Sequence, residues 1–386
     1  MKNGKIRVAL VGLSFGAEFI PIYLKHPDVD SLVLVDSNRK VLDEVGDKFL
    51  VDARMTDFDE MLRDETIDAV HLVTPPATHA PLSVRALNAG KHCACTIPMG
   101  MSIDELHQVI EARRKSGKRY MFMETSVYSR EFLYVKELYE KGELGRIQFM
   151  RCAHYQDMEG WPDYWLGFPP LMHPTHAVAP CLMLIGKKPK TVYCKGSGAV
   201  RKEVEDAYGC PFAFESALIT LEDSDVGIEM ARFLYHVARG YSECFNIYGE
   251  KKTFEWQQLE HEKPVVFSME LDEDANHVID GSGRGGKITE ARVDIPDYAH
   301  LLPKEIGRFT KRTVYDESNP HLSFLQGGGH GGSHPHLVHE FMRSIIEDRP
   351  PRPDDITGAY WTGVGICAHQ SAMEGGVVKE VPAFEE

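Results

Sequence analysis

The segment VALVGLSFGAEFI carries Gly12, Ser14, Phe15, Gly16 and Ala17 where an apolar run gives way to a helical pattern. Small residues at such a turn let backbone amides approach a pyrophosphate, and the helix start adds its positive dipole end. The match to G-x-G-x-x-G is incomplete, because Ser14 and Ala17 replace the second and third glycines. Asp36 strengthens the reading by closing the next apolar run. A carboxylate there accepts hydrogen bonds from both ribose hydroxyls and repels a 2′-phosphate, which favours NAD over NADP. Arg39, close by, works against that preference. VTPPATHAPL then sets Thr74, Pro75 and His79 beyond a third apolar run, at the edge where ligands bind in such sheets. His79 reads equally well as a helix cap.

These residues need a frame, and the spacing supplies one. KIRVALVG, SLVLVD, AVHLVTPP and HCACTIP read as strands, with helical periodicity between them in PLSVRALNAG and SIDELHQVIEARRKSG. YMFMETSV reads as a further strand, and REFLYVKELYEKGELG as the helix after it. Strands alternating with helices imply parallel βαβ units and a doubly wound α/β sheet. After Ile147 the pattern becomes alternating, in IQFMRCAHYQ, KTVYCKGSG, SALITLED, GIEMARFLYH and SECFNIYGEKKTFEW. That implies a large, mainly antiparallel open sheet. The expected division is a nucleotide-binding domain over 1–123 and a substrate-binding and oligomerisation domain over 124–386, with the last helix packing back on the first domain. Residues 270–325, polar and rich in Gly and Pro, read as an excursion with little regular structure.

Bulk properties exclude several classes. The 386 residues suffice for two cores, and 43% hydrophobic with 26% charged residues is an ordinary globular composition. A net charge of -15 without a basic stripe argues against nucleic acid as a partner. No apolar run approaches the roughly 20 residues of a membrane-spanning helix. The start, MKNGKIRVALVGL, has no signal-peptide h-region, so a cytoplasmic location is expected. The eight cysteines are scattered, and Cys93 and Cys95 read as reduced core thiols sharing one strand face. HGGSHPHLVHEF holds His330, His334, His336 and His339, yet it matches neither H-x-x-x-H nor H-E-x-x-H on a clear helix, and no metal is expected. Trp161, Tyr164, Trp165 and Phe168 read either as a sugar-stacking wall or as a packed loop.

On VGLSFGAEF, LVTPPATHAPLSVRALNAGKHC, the Pro98 turn and ELGRI, the chain resembles the glucose–fructose oxidoreductase / inositol dehydrogenase (Gfo/Idh/MocA) family. The resemblance implies an N-terminal Rossmann domain, a C-terminal α/β sheet domain, a nicotinamide cofactor, a sugar-like substrate, and dimers or tetramers formed through the second sheet. Most dehydrogenases of that family carry E-K-P before the cofactor-side turn, and an aspartate four residues before a histidine in the second domain. Here Thr96–Ile97–Pro98 and Met172 stand at those positions, while His176 is retained.

A smaller branch, the NAD-dependent glycoside hydrolases, shows the same departures. METSVYSREFLYVKEL resembles its glutamate-to-tyrosine segment at Glu124, Tyr128 and Arg130, and HPTHAVAP its proline–threonine–histidine turn at Pro174, Thr175 and His176. GYSECFNIYGEKKTFEW and GGGHGG are similar to its tyrosine strand at Tyr241 and its glycine–histidine loop at His330. The branch implies oxidation at C3, elimination across C1–C2, water addition and re-reduction. It places His176 by the reacting hydroxyl and Tyr155 as the C2 base, which requires a depressed phenol pKa. Glu124 orients substrate or holds the nicotinamide amide, Tyr241 and His330 bind or donate, and Tyr128, Arg130, His173 and Thr175 contact substrate. Thr96 and Pro98 border the cofactor. Arg130, Arg232 and Arg239 serve an acidic group or pair with nearby carboxylates. His176 and Tyr155 also read as structural residues. A sugar or polyol dehydrogenase without the usual lysine and a non-catalytic nucleotide binder are the alternatives.

Overall fold

A computed structural model describes residues 4–270, 287–325 and 330–385. Six strands form the first sheet: β1 (Ile6–Val11), β2 (Val29–Val35), β3 (Arg54–Met55), β4 (Ala69–Leu72), β5 (His92–Cys95) and β6 (Tyr120–Phe122). Their order is β3-β2-β1-β4-β5-β6, every pair parallel. Strands such as IRVALV and AVHL are apolar on both faces because helices cover both sides of the sheet. The chain leaves β1 toward one edge and returns through β4 toward the other, so a crevice opens at the carboxyl ends of β1 and β4. Gly12 lies there with φ +87°, and a Cβ would stand 2.1 Å from the Val73 carbonyl oxygen.

The second sheet adds β7 (Ile147–Tyr155), β8 (Pro189–Ser197), β9 (Phe214–Leu221), β10 (Gly227–Phe233), β11 (Ser242–Gly249), β12 (Lys252–Glu255), β13 (Val265–Glu270) and β14 (Lys287–Arg292). With the short edge strand Lys379–Glu380 it runs β14-β13-β12-β11-β7-β10-β9-β8-edge. All its pairs are antiparallel except β7 with β10. The excursion expected over 270–325 is more structured than its composition suggests. β14 pairs with β13, and helix Lys304–Gly307 and three single 3-10 turns follow. Residues 271–286 of that segment lie outside the described ones.

Two helices join the sheets. Helix Thr175–Ile185 is apolar all round and lies against β7, β10 and β11. Helix Asp355–Met373 packs on β8 and also on β6 and helix Ile103–Ser116 of the first sheet. Asp355 pairs with Arg113 at 2.6 Å, and Thr362 Oγ1 accepts from the Met99 amide at 3.3 Å, which fixes the Pro98 turn. The eight cysteines are all free, and seven are buried. Among the described residues no helix is long and apolar enough to cross a membrane.

Gly12→Ala is expected to weaken NADH binding at least tenfold and to lower the melting temperature. The positive φ alone costs about 1–2 kcal/mol, before the clash with Val73. A fluorescence titration and a thermal melt measure both effects.

Candidate active site

The turn after β1 is held from below by Asp36, whose Oδ2 accepts from the Leu13 amide at 2.9 Å and whose Oδ1 accepts from Asn38 at 2.8 Å. A carboxylate has further lone pairs, so Asp36 keeps capacity for ribose hydroxyls. Ser14 is exposed at this turn, and Gly16 sits tightly against Val73. The close approach at Gly12, the half-buried carboxylate and the exposed turn together fit a dinucleotide. Arg39 is exposed and pairs with Asp43 at 2.9 Å along its own helix. Phe15 lies edge-on to His330 and His334, linking this turn to the histidine-rich segment.

The other cofactor-side residues are largely occupied. His79 is buried with Nδ1 2.6 Å from the Pro98 carbonyl and Nε2 2.6 Å from that of Thr74. Neither nitrogen is left for a ligand, so His79 is a brace between the Thr74–Pro75 turn and the Pro98 turn, contrary to the expected cofactor contact. Thr78 donates to Thr74 Oγ1 at 2.8 Å. Thr96, at one of the positions before Pro98, donates to the Leu72 carbonyl at 3.2 Å and tends the strand backbone. Ile97 is buried. Neither position before Pro98 carries an ionisable side chain.

The ionisable groups meet across the domain seam. Glu124, just beyond β6 and fully buried, accepts at Oε1 from the Ser126 amide at 2.9 Å and from His176 Nδ1 at 2.7 Å. His176 occupies the first turn of helix Thr175–Ile185. Its Nε2 faces Glu243 Oε1 at 3.6 Å, and Tyr241 donates its hydroxyl to that same oxygen. His330 Nε2 lies 3.7 Å from it as well. Burial opposes charge on all of them; mutual attraction overcomes it for Glu124 and His176 and not for the others. Burial would raise Glu124, yet the His176 charge and hydrogen bond hold it at about 2. Burial would lower His176, yet Glu124 and Glu243 raise it to about 9. Glu243, with burial dominant, is pushed up to about 7. His173 and His330 are driven down to about 3 by burial and by the His176 charge.

A polar row crosses the sheet beneath this cluster: Glu243 on β11, His154 on β7, Arg232 on β10 and Glu215 on β9 are in register. The His154 ring lies edge-on to His176 and Tyr241 at 5.1 and 5.0 Å. Both His154 nitrogens, all three guanidinium nitrogens of Arg232, Glu124 Oε2, His173 Nδ1 and Thr175 Oγ1 are buried without a hydrogen-bond partner. Glu215 is committed, to the Leu171 amide and to His369 Nδ1, both at 2.7 Å. Trp165 lies edge-on to His173, while Trp161 and Tyr164 are exposed. A cleft lined by Arg130, Tyr241, Glu243, Trp256, Arg312 and His330 opens onto the cluster.

Two expected site residues point elsewhere. Tyr155 follows His154 on the strand and so faces the opposite side of the sheet. It packs on Phe233 and under the Arg239 guanidinium. Burial raises its pKa, the reverse of what a C2 base requires. Tyr128 donates to the Arg352 carbonyl and stacks on His336, away from His176. Arg130 donates to the carbonyls of Gly331 and Thr310, fastening the loop that carries His330. Residues 326–329 of that glycine–histidine loop lie outside the described ones. Glu243, His154 and Arg232 were absent from the expected catalytic set. Their signal was available: in IQFMRCAHY, GIEMARF and SECFNIYG they continue the inward series of Met150 and Cys152, Ile228 and Met230, and Phe245 and Ile247.

Comparison with known proteins agrees with this architecture. The domain described as "Oxidoreductase family, NAD-binding Rossmann fold" matches residues 6–124, and the GFO/IDH/MocA C-terminal domain matches 132–255. The chain belongs to the Gfo/Idh/MocA oxidoreductase family and is an NAD-dependent enzyme of it. A glycosyl hydrolase family 109 protein of Saccharopolyspora erythraea is 22% identical over 98% of this chain and 83% of its own length. An alpha-N-acetylgalactosaminidase of Shewanella oneidensis is 23% identical over 45% of this chain and 43% of its own length. Among solved structures, a levoglucosan dehydrogenase in complex with NADH and levoglucosan has the same fold, with a TM-score of 0.76 at 17% identity, covering 98% of this chain and 100% of that one.

Tyr155→Phe is expected to leave turnover within about twofold, whereas His176→Ala lowers it by about 10²-fold or more. Steady-state rates of the two variants, each compared with the wild type, test the placement of these side chains.

Proposed function

We propose that this enzyme cleaves glycosides without net oxidation, through a 3-keto intermediate. The observation that carries the reading is the buried Glu124–His176–Glu243–Tyr241 chain, set opposite a Rossmann edge whose Thr96 and Ile97 carry no acid or base. NAD bound at the Gly12 turn supplies a reversible hydride acceptor. As the hydride leaves C3 its hydroxyl proton passes to water in the cleft, and the His176 charge, held by Glu124, stabilises the negative charge developing on the C3 oxygen. With C3 as a ketone the neighbouring C2 proton is acidic. Glu243, pushed up to about 7 by burial and bonded to Tyr241, takes the place that Tyr155 cannot fill and accepts this proton.

The C1–O bond then breaks, and the aglycone oxygen leaves with a proton. Water returns hydroxyl to C1 and hydrogen to C2, and re-reduction at C3 restores the alcohol. The unpartnered polar atoms of Glu124, His154, His173, Thr175 and Arg232 suit a hydroxyl-rich ligand, because each buried group left without a partner costs about 1–3 kcal/mol. Names borne by the curated relatives support glycoside cleavage.

Incubation with NAD and a panel of nitrophenyl glycosides, read at once for nitrophenol and NADH, tests the reading. Nitrophenol released over many turnovers without accumulating NADH is the expected outcome. Stoichiometric NADH without nitrophenol would make the enzyme a sugar dehydrogenase instead.

A further inference from the structure

Three donor atoms converge on one point of the cleft floor from three separate segments. His176 Nε2, Glu243 Oε1 and His330 Nε2 all lie within 4.8 Å of one another, with 3.6 and 3.7 Å from the two imidazoles to the carboxylate oxygen. Ligands about 2.0–2.2 Å from a tetrahedral zinc ion stand roughly 3.3–3.6 Å apart, so a small inward adjustment brings the three onto one ion. Each imidazole has its other nitrogen engaged. His176 Nδ1 is held by Glu124 at 2.7 Å, and His330 Nδ1 lies 3.1 Å from His334 Nε2. His334 Nδ1 in turn faces the Glu18 carboxylate at 3.5 Å. His334 Nδ1 makes no hydrogen bond, so the His330 contact is the one that positions its ring. His176 Nε2 and His330 Nε2 thus face one carboxylate oxygen from two sides, a geometry that a single cation shared by the three would satisfy.

We propose that His176, Glu243 and His330 form a binding site for a divalent metal ion of the zinc or cobalt class. Two imidazoles and one carboxylate are donors of borderline softness, and three protein ligands leave at least one position for a substrate oxygen. Glu124 orients the His176 imidazole, as carboxylate-linked histidines do at metal centres, and His334 orients that of His330. Resting on the reading above for its role alone, the ion takes over at the C3 oxygen, as a Lewis acid, the positive charge that His176 carries without it; His176 then binds as the neutral imidazole, its Nδ1 proton held by Glu124. Tyr241, bonded to Glu243, remains beside it to handle protons. The sequence expectation of no metal considered histidines within one segment, whereas these ligands come from a helix, a strand and a loop.

Titration of the full chain with Co2+ alone, followed by visible absorption and by equilibrium dialysis with metal analysis, tests the site. One Co2+ per chain with tetrahedral or five-coordinate bands is expected. H330Q and E243Q each weaken binding at least 100-fold, E124Q weakens it about 10–100-fold, and H369Q leaves it unchanged. H330Q must retain the wild-type melting temperature and NADH fluorescence. No stoichiometric Co2+, or binding that survives in H330Q and E243Q, overturns the inference. So does nitrophenol release from protein stripped of metal, which leaves the glycosidase reading standing. Bound Co2+ without nitrophenol release from any glycoside sinks that reading and leaves the site.

Discussion

Glu124 and His176 share a hydrogen bond between two buried groups, and the rest of the site is arranged around this contact. Each group opposes burial alone, and together they satisfy each other. Removing one partner of such a pair leaves an uncompensated charge that costs about 3–5 kcal/mol. The pair also spans the two sheets, since Glu124 follows the last Rossmann strand and His176 opens the helix lying on the second sheet. The two domains are therefore fixed at the point where cofactor and substrate must meet.

Much of the surrounding structure serves that contact. Helix Asp355–Met373 wedges between the sheets, with Asp355 on Arg113 and Thr362 on the Pro98 turn. Glu215 and His369 hold the turn leading into the His176 helix. His79 ties the β4 exit to the Pro98 turn and keeps the cofactor-side edge in shape. The polar row Glu243–His154–Arg232–Glu215 runs through what is otherwise an apolar sheet face. Within it His154 and Arg232 keep open hydrogen-bonding capacity.

The consequence for the missing lysine is a transfer of charge from one wall to the other. At the Rossmann edge Thr96 serves backbone and Ile97 is buried, so neither offers an acid or base. On the opposite wall, imidazoles and carboxylates crowd within a few ångströms and divide the charge between them. The carboxylates gain their influence from burial: in the same contacts at the surface, water would screen most of the interaction.

The sequence by itself determined the doubly wound sheet, the mainly antiparallel second sheet, the glycine turn with Asp36 and the retained His176. Each rests on local information: apolar periodicity, turn chemistry, or a motif read within a few residues. It also held the inward positions of Glu243, His154 and Arg232, because strand alternation assigns a face before any partner is known. The same alternation turned Tyr155 outward. Tertiary structure alone decided which inward groups meet. Glu124, His176, Glu243 and His330 come from four distant segments, and sheet register and the seam between domains bring each within 4 Å of the next. Their protonation follows from that arrangement, since a buried group's charge is set by the neighbours that folding places around it.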